Sequence, residues 1–161
     1  MVCGKTALMK NKVVKILLLV SPLLIGIGSS LLVKDMSLTD IKTPILTPPA
    51  IVFPIAWTIL YVLMGIGAML IYSSKDNEDN KNMGLIFHCI QLIFNFFWSI
   101  IFFNLKQYLF ALVWLVLLWL TVVSMLKNYK KVNKTAFVLN IPYIAWLTFA
   151  GYLNLMIFVL N

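Results

Sequence analysis

Charge and conventional catalytic groups are scarce in this chain. Only 11% of its 161 residues are charged, against about 25% in an ordinary soluble domain. Arginine is absent, His88 is the single histidine, and there are five acidic residues. One histidine with no carboxylate near it in sequence makes a metal site improbable. Cys3 precedes the first apolar run and Cys89 lies inside the third, so no disulfide is expected between them. There is no nucleophile–base pair and no glycine-rich phosphate loop, which leaves most hydrolases and nucleotide enzymes without their machinery. Internal repeats and low-complexity tails are also missing.

What the chain has is apolar surface. Hydrophobic residues make up 62% of it, and the mean hydropathy is +0.98. Five runs carry no charge: Ile16–Val33, Thr43–Ser74, Asn82–Leu105, Gln107–Leu126 and Thr135–Asn161. A spanning helix needs about 20 mostly apolar residues. The expectation is an all-α integral membrane protein, a single five-helix transmembrane bundle, with helices near 13–33, 49–72, 83–104, 107–127 and 135–160. The first run is longer than the apolar core of a signal peptide, so it is read as a retained helix. Segments 3 and 4 are separated by so little that they should form a tight antiparallel hairpin.

The net charge is +8, all of it from lysine. Ten lysines fall before segment 1 or in the second and fourth loops, and only Lys34, Lys42 and Lys106 fall on the other side. The positive-inside rule then puts the N-terminus in the cytoplasm and the C-terminus outside. Lysines at helix ends indicate topology and contact with the lipid bilayer, not a nucleic-acid partner. No charged residue lies deep in a run, which argues against a proton pump or ion channel.

Polar and aromatic residues inside the runs form stripes. In segment 3, His88, Gln91, Asn95, Trp98, Ser99 and Phe102 share one helical face. In segment 5, Tyr143, Trp146, Ala150 and Asn154 do the same. In segment 2 the face is Phe53, Trp57, Tyr61, Gly65 and Ala68, entered through Pro48 and Pro49. Pro54 either kinks this helix or marks its first turn. Two readings are open: hydrogen-bonded seams between helices, or the wall of a ligand pocket. Segment 4, nearly all apolar, reads as facing lipid or a partner chain. Gly26 and Ser30 in segment 1 form a small-residue pair that permits close helix approach.

Three blocks carry a family resemblance. They are PPAIVFPIAWTILYVLMGIGA (Pro48–Ala68), QLIFNFFWSIIFF (Gln91–Phe103) and PYIAWLTFAGYLN (Pro142–Asn154). Together, in this order, they resemble the tryptophan-rich sensory protein / translocator protein (TspO/MBR) family, of prokaryotic type. The resemblance implies a five-helix bundle, a homodimer and a pocket for a small hydrophobic ligand of the porphyrin type. No cofactor is required; the tetrapyrrole is the ligand. The ligand-binding residues it implies are Phe53, Trp57, Tyr61, Gln91, Asn95, Trp98, Tyr143, Trp146, Ala150 and Asn154. Pro44, Pro48 and Pro49 would belong to a loop that closes the pocket. That loop departs from the family pattern, with Ser37 and Leu38 at the usual aromatic pair and Thr43 at the usual lysine. Tyr152 is followed by no basic residue, unlike the sterol-recognition pattern of animal members. The expected function is tetrapyrrole sensing, carriage or regulation in a prokaryotic cytoplasmic membrane. Alternatives are light-dependent porphyrin degradation, with Trp57 and Trp146 as the reactive indoles, or a ligand-free membrane scaffold.

Overall fold

A computed structural model describes residues 2–33, 41–75 and 78–161, with side chains from Asn11 onward. Ser37 and Leu38 lie outside the described residues. The elements are α1 (Val2–Leu32), α2 (Val52–Ser73), α3 (Glu78–Ser99) with a π-helical extension (Ile100–Asn104), α4 (Tyr108–Val132), α5 (Lys134–Leu139) and α6 (Ile141–Leu160). Five spans are long and apolar enough to cross a membrane: Asn11–Leu32, Val52–Ser73, Glu78–Asn104, Tyr108–Val132 and Lys134–Leu160.

Hydrocarbon offers no partner for a stray hydroxyl. The spans meet this requirement locally. Ser29 donates to the Gly26 carbonyl, Thr58 to Pro54, Thr121 to Leu117, Ser124 to Leu120 and Thr148 to Ile144. These back-bonds let small polar residues sit in an apolar helix without a neighbour's help.

Prolines shape the helix starts. Pro48 and Pro49 precede α2, and a turn through Ala50 and Ile51 follows, closed by Val52 N–H to Pro49 O (2.9 Å). The helix therefore begins at Val52 rather than at residue 49. Pro54 falls in its first turn, where a missing N–H costs nothing. The last span, expected as one helix over 135–160, is two. Asn133 caps α5 by accepting from the Ala136 N–H (3.0 Å). The helix then breaks at Asn140 (φ −99°, ψ 0°), and Pro142, in the first turn of α6, supplies the reason.

The α3–α4 connection is short. Leu105 N–H bonds Ile100 O in π-helical fashion, and Lys106 takes a left-handed φ of 50° to reverse the chain. The two helices then pack along their length. Here the reading of segment 4 as outward-facing is corrected. Ala111, Leu115, Leu118, Val122, Met125 and Tyr129 are all buried to within 2% of zero exposure. They recur at steps of three and four and form an inward stripe. Only the opposite side, with Val113, Val116 and Leu120, is exposed. A helix that is apolar all round shows no contrast from which the buried side can be read.

The small-residue contact of α1 also differs from expectation. Ser30 is exposed and bonds its own helix, to the Ile27 carbonyl. The close approach is made by Gly26, whose missing side chain leaves room for the Tyr61 ring, and by Gly65, which lies against the Leu19 backbone. Gly26 is thus occupied within the chain and is not a free surface for a second copy.

Gly65 faces a carbonyl that cannot swing away, whereas a Cβ on Gly28 would meet only the Phe96 ring at 3.7 Å. Gly65→Ala is expected to destabilise the bundle by about 1–3 kcal/mol through forced separation of α1 and α2. Gly28→Ala should be near neutral. Thermal unfolding of both variants in one detergent checks this; equal midpoints would refute the close-approach argument.

Candidate ligand-binding site

The polar stripes of α3 and α6 meet in the centre of the bundle. The Tyr143 hydroxyl donates to Gln91 Oε1 (2.8 Å) and accepts from Asn95 Nδ2 (3.3 Å). The Tyr61 hydroxyl of α2 donates to Asn95 Oδ1 (2.7 Å). Gln91 Nε2 points to the Met64 sulfur at 3.6 Å. Gln91, Asn95 and Tyr143 are at most 2% exposed, and Tyr61 is buried. Each amide oxygen has a hydroxyl, and the Tyr143 oxygen is shared. Three helices are tied by four side chains, Tyr61, Gln91, Asn95 and Tyr143, with the Met64 sulfur taking the Gln91 amide.

An aromatic cluster adjoins this network. Trp57 stacks on Tyr61 (centroids 5.4 Å, 28°) and meets Tyr143 and Trp146 edge-on at 6.3 and 6.5 Å. Phe53 contacts Trp146 edge-on at 6.0 Å, and Phe149 lies 5.8 Å beyond. Edge-on and offset arrangements are the favoured ones for aromatic rings. Between α2 and α6 runs a groove of ≈ 470 Å³, lined by Ala56, Ile59, Leu60, Pro142, Ala145, Trp146 and Phe149. Its size lies in the range of small-molecule sites, about 300–1,000 Å³. The Trp146 indole N–H is buried and has no hydrogen-bond partner among the described residues.

The remaining predicted residues fall elsewhere. Trp98 donates to Asn154 Oδ1 (3.3 Å), and Asn154 Nδ2 donates to the Tyr108 carbonyl (2.8 Å). This pair belongs to the α3–α4 turn and does not bond the Tyr143 network. Trp98 stacks on Phe102 at 5.2 Å. Ala150 is buried in the main core. In the first loop Pro44 is buried, Pro48 half-buried and Pro49 exposed. His88, one turn from Gln91, is fully buried, and both ring nitrogens are unpartnered among the described residues. No group of three or more His, Cys, Asp or Glu residues converges among the described residues.

Several residues of the groove escape the stripe argument. Pro142, Ala145 and Phe149 step by three and four along α6, and Ala56 and Leu60 by four along α2. They are apolar in an apolar run, so only their spacing beside Trp57 and Trp146 could have marked them. Met64 as an acceptor for Gln91 carried no sequence signal.

The fold and the buried core together define a class: an integral, multi-pass helical membrane protein with an aromatic cluster beside a satisfied polar centre. Residues 16–160 match the model of the TspO/MBR family. The chain is 37% identical over 123 residues to the tryptophan-rich protein TspO of Chlorobaculum tepidum, covering 76% of this chain and 78% of the relative. It is 34% identical over 132 residues to a tryptophan-rich sensory protein of Cereibacter sphaeroides (82% and 81% covered), and 32% identical over 118 residues to the translocator protein of Bos taurus (71% and 69% covered). The chain belongs to the TspO/MBR family.

Tyr143→Phe removes one hydroxyl but strands two groups, Gln91 Oε1 and Asn95 Nδ2. It should cost about 1–2 kcal/mol, the upper end for polar contacts between transmembrane helices. Tyr61→Phe strands only Asn95 Oδ1 and should cost about half as much. Unfolding of the two single variants and the double variant in mild detergent reads both values; equal losses would mean that the shared hydroxyl holds no special place.

Proposed function

We propose that the protein binds a flat, largely apolar ring ligand of the tetrapyrrole class within the membrane, and that it senses, carries or regulates that ligand. The observation that carries this reading is Trp146. This residue lines an apolar groove beside a cluster of ring faces, and its indole N–H is buried and unpartnered among the described residues. An unmade hydrogen bond of this kind is costly, and a ligand acceptor would remove the cost. The groove supplies apolar walls, and Trp57, Phe53 and Phe149 supply stacking surface. Tyr61, Gln91, Asn95 and Tyr143 act in this reading as the preorganised floor. Ala150, packed in the main core, continues the α6 face that carries Trp146, and Trp98 with Asn154 brace the end nearest the loop. Pro44, Pro48 and Pro49 shape the loop that closes over the ligand. The names of the relatives, sensory protein and translocator protein, support a role in sensing or regulation.

In this reading the protein sits in a prokaryotic cytoplasmic membrane, and the lysine bias supports a cytoplasmic N-terminus and an outer C-terminus. The exposed apolar residues of α3, Ile86, Ile93 and Phe97, offer a surface on which a second copy could pack to form a homodimer. Reporter fusions at the two ends should be active on opposite sides of the membrane, and native mass spectrometry should record two chains per particle. Same-side reporters or a lone chain would refute these two statements separately.

Titration of the detergent-purified protein with protoporphyrin IX in the dark tests the main reading. Tryptophan quenching, corrected for inner-filter loss, should saturate near one ligand per chain. Trp146→Phe should weaken affinity roughly three- to tenfold through loss of one buried hydrogen bond. Quenching that never saturates, or that is the same in both proteins, would mean that porphyrin only partitions into the micelle. Illumination of the saturated sample separates binding from degradation: a degrading enzyme consumes the ligand, a carrier does not.

A further inference from the structure

The face of α6 that carries Trp146, Ala150 and Asn154 continues, at steps of three and four, through Ile157 to Asn161. Asn161 stands just beyond the end of the helix. Its carboxamide pairs with the backbone of Lys42, 119 residues away, in both directions. Lys42 N–H donates to Asn161 Oδ1 (2.9 Å), and Asn161 Nδ2 donates to Lys42 O (3.0 Å). A carboxamide offers a donor and an acceptor side by side, as a backbone amide does, so the pair resembles one rung of a β-ladder. The second Nδ2 hydrogen goes to Ile157 O (2.9 Å), and the Asn161 backbone N–H also bonds that carbonyl (3.2 Å). The side chain is therefore held by its own helix in the orientation that grips the loop.

The gripped segment lies midway along the first loop, which joins Leu32 to Val52. Ile41, next to Lys42, packs on the cluster of Ile101, Phe102, Ala111 and Ile157. Pro44 is buried, and Thr47 closes a turn onto the Pro44 carbonyl through both its N–H (3.0 Å) and its hydroxyl (2.7 Å). Between them Ile45 and Leu46 are exposed, Ile45 fully. This part of the loop is thus pinned at Lys42 and folded at Thr47, with Ile45 and Leu46 exposed on the turn between Pro44 and Thr47. Across the bundle end, Asn104 Nδ2 holds the last α1 carbonyl, Leu32 O (2.8 Å), so the end of α1 that leads into the loop is braced too.

We propose that Asn161 is a positioning residue that latches the first loop to the ligand-bearing helix, and that the latch sets the rate at which a ligand leaves. The second half of this statement rests on the binding reading given above; the first half does not. Both hydrogen bonds are exposed, so water competes for each of them and each is worth little net. That suits a latch which must open and close. The carboxamide geometry is specific: aspartate keeps the acceptor for Lys42 N–H but loses the donor to Lys42 O, and alanine loses both.

Hydrogen exchange read by mass spectrometry on the full chain in nanodiscs tests the latch without any ligand. In Asn161→Ala, exchange in the peptide that covers Ile41–Thr43 should rise clearly above wild type, and in Asn161→Asp it should fall between the two. Unchanged exchange in Asn161→Ala would overturn the latch. Stopped-flow release of protoporphyrin IX then tests its consequence. Loss of both bonds should speed release roughly three- to tenfold, with a smaller effect in Asn161→Asp. Release at the wild-type rate from a protein whose loop exchange has risen would overturn control of ligand escape. If wild type binds no porphyrin at all, the binding reading fails, and the exchange data still decide the latch.

Discussion

The structure depends on a constraint of its solvent: a polar group inside hydrocarbon must find its partner within the protein. The Tyr143 hydroxyl is where this constraint is met most economically. It sits between Gln91 and Asn95 and serves both, while Tyr61 takes the other side of Asn95. The four side chains come from α2, α3 and α6. None of these helices can rotate by one residue without breaking a hydrogen bond to a buried amide. Apolar packing between membrane helices lacks the hydrophobic drive of water and tolerates sliding; the amides do not. The network therefore fixes rotation and register, and packing fills in around it.

Closeness is the second requirement, and it is set on the other side of the bundle. Gly65 admits the α1 backbone, and Gly26 admits the Tyr61 ring. The two contacts serve the same end. Tyr61 reaches Asn95 because the α1–α2 crossing is tight enough to hold its ring in place. Trp57 stacks on that ring and so inherits its position. A change at Gly65 would therefore be felt at the indoles, two residue layers away, through packing alone.

Much of this was legible before any coordinates. Gln91, Asn95 and Tyr143 stand out because a polar residue in an apolar run has few reasons to be there. Their three- and four-residue steps put them on common faces. What could not be read was which partner each would take. The stripe of α3 ran on through Trp98, but Trp98 turns to Asn154 and the α3–α4 turn, away from the Tyr143 network. The inward face of α4 was invisible for the opposite reason: Leu115, Leu118 and Val122 look like their lipid-facing neighbours Val113, Val116 and Leu120. Small-residue contacts belong to pairs of helices, so Gly26 with Ser30 looked as good as Gly26 with Tyr61. The break at Asn140 could have been read from Pro142, had a proline near the start of a helix been taken as the start of a second one.

The two halves of the candidate site differ in what they ask of a ligand. The Tyr61–Asn95–Tyr143–Gln91 network is already satisfied, so a ligand that bonded it would first have to break hydrogen bonds the protein makes for itself. Such an exchange gains little. Trp146 is the reverse case: its N–H is buried without a partner among the described residues, so an acceptor that reached it would break no hydrogen bond of the protein's own. Recognition by this arrangement would favour a broad apolar ring system with an acceptor at one edge, stacked on the indoles and resting on the network without entering it. A ligand rich in donors, or one that needed several polar contacts, would find no unpaired acceptor in the aromatic cluster or the tyrosine–amide network. That asymmetry, more than the size of the groove, separates what the two halves of the site ask of a ligand.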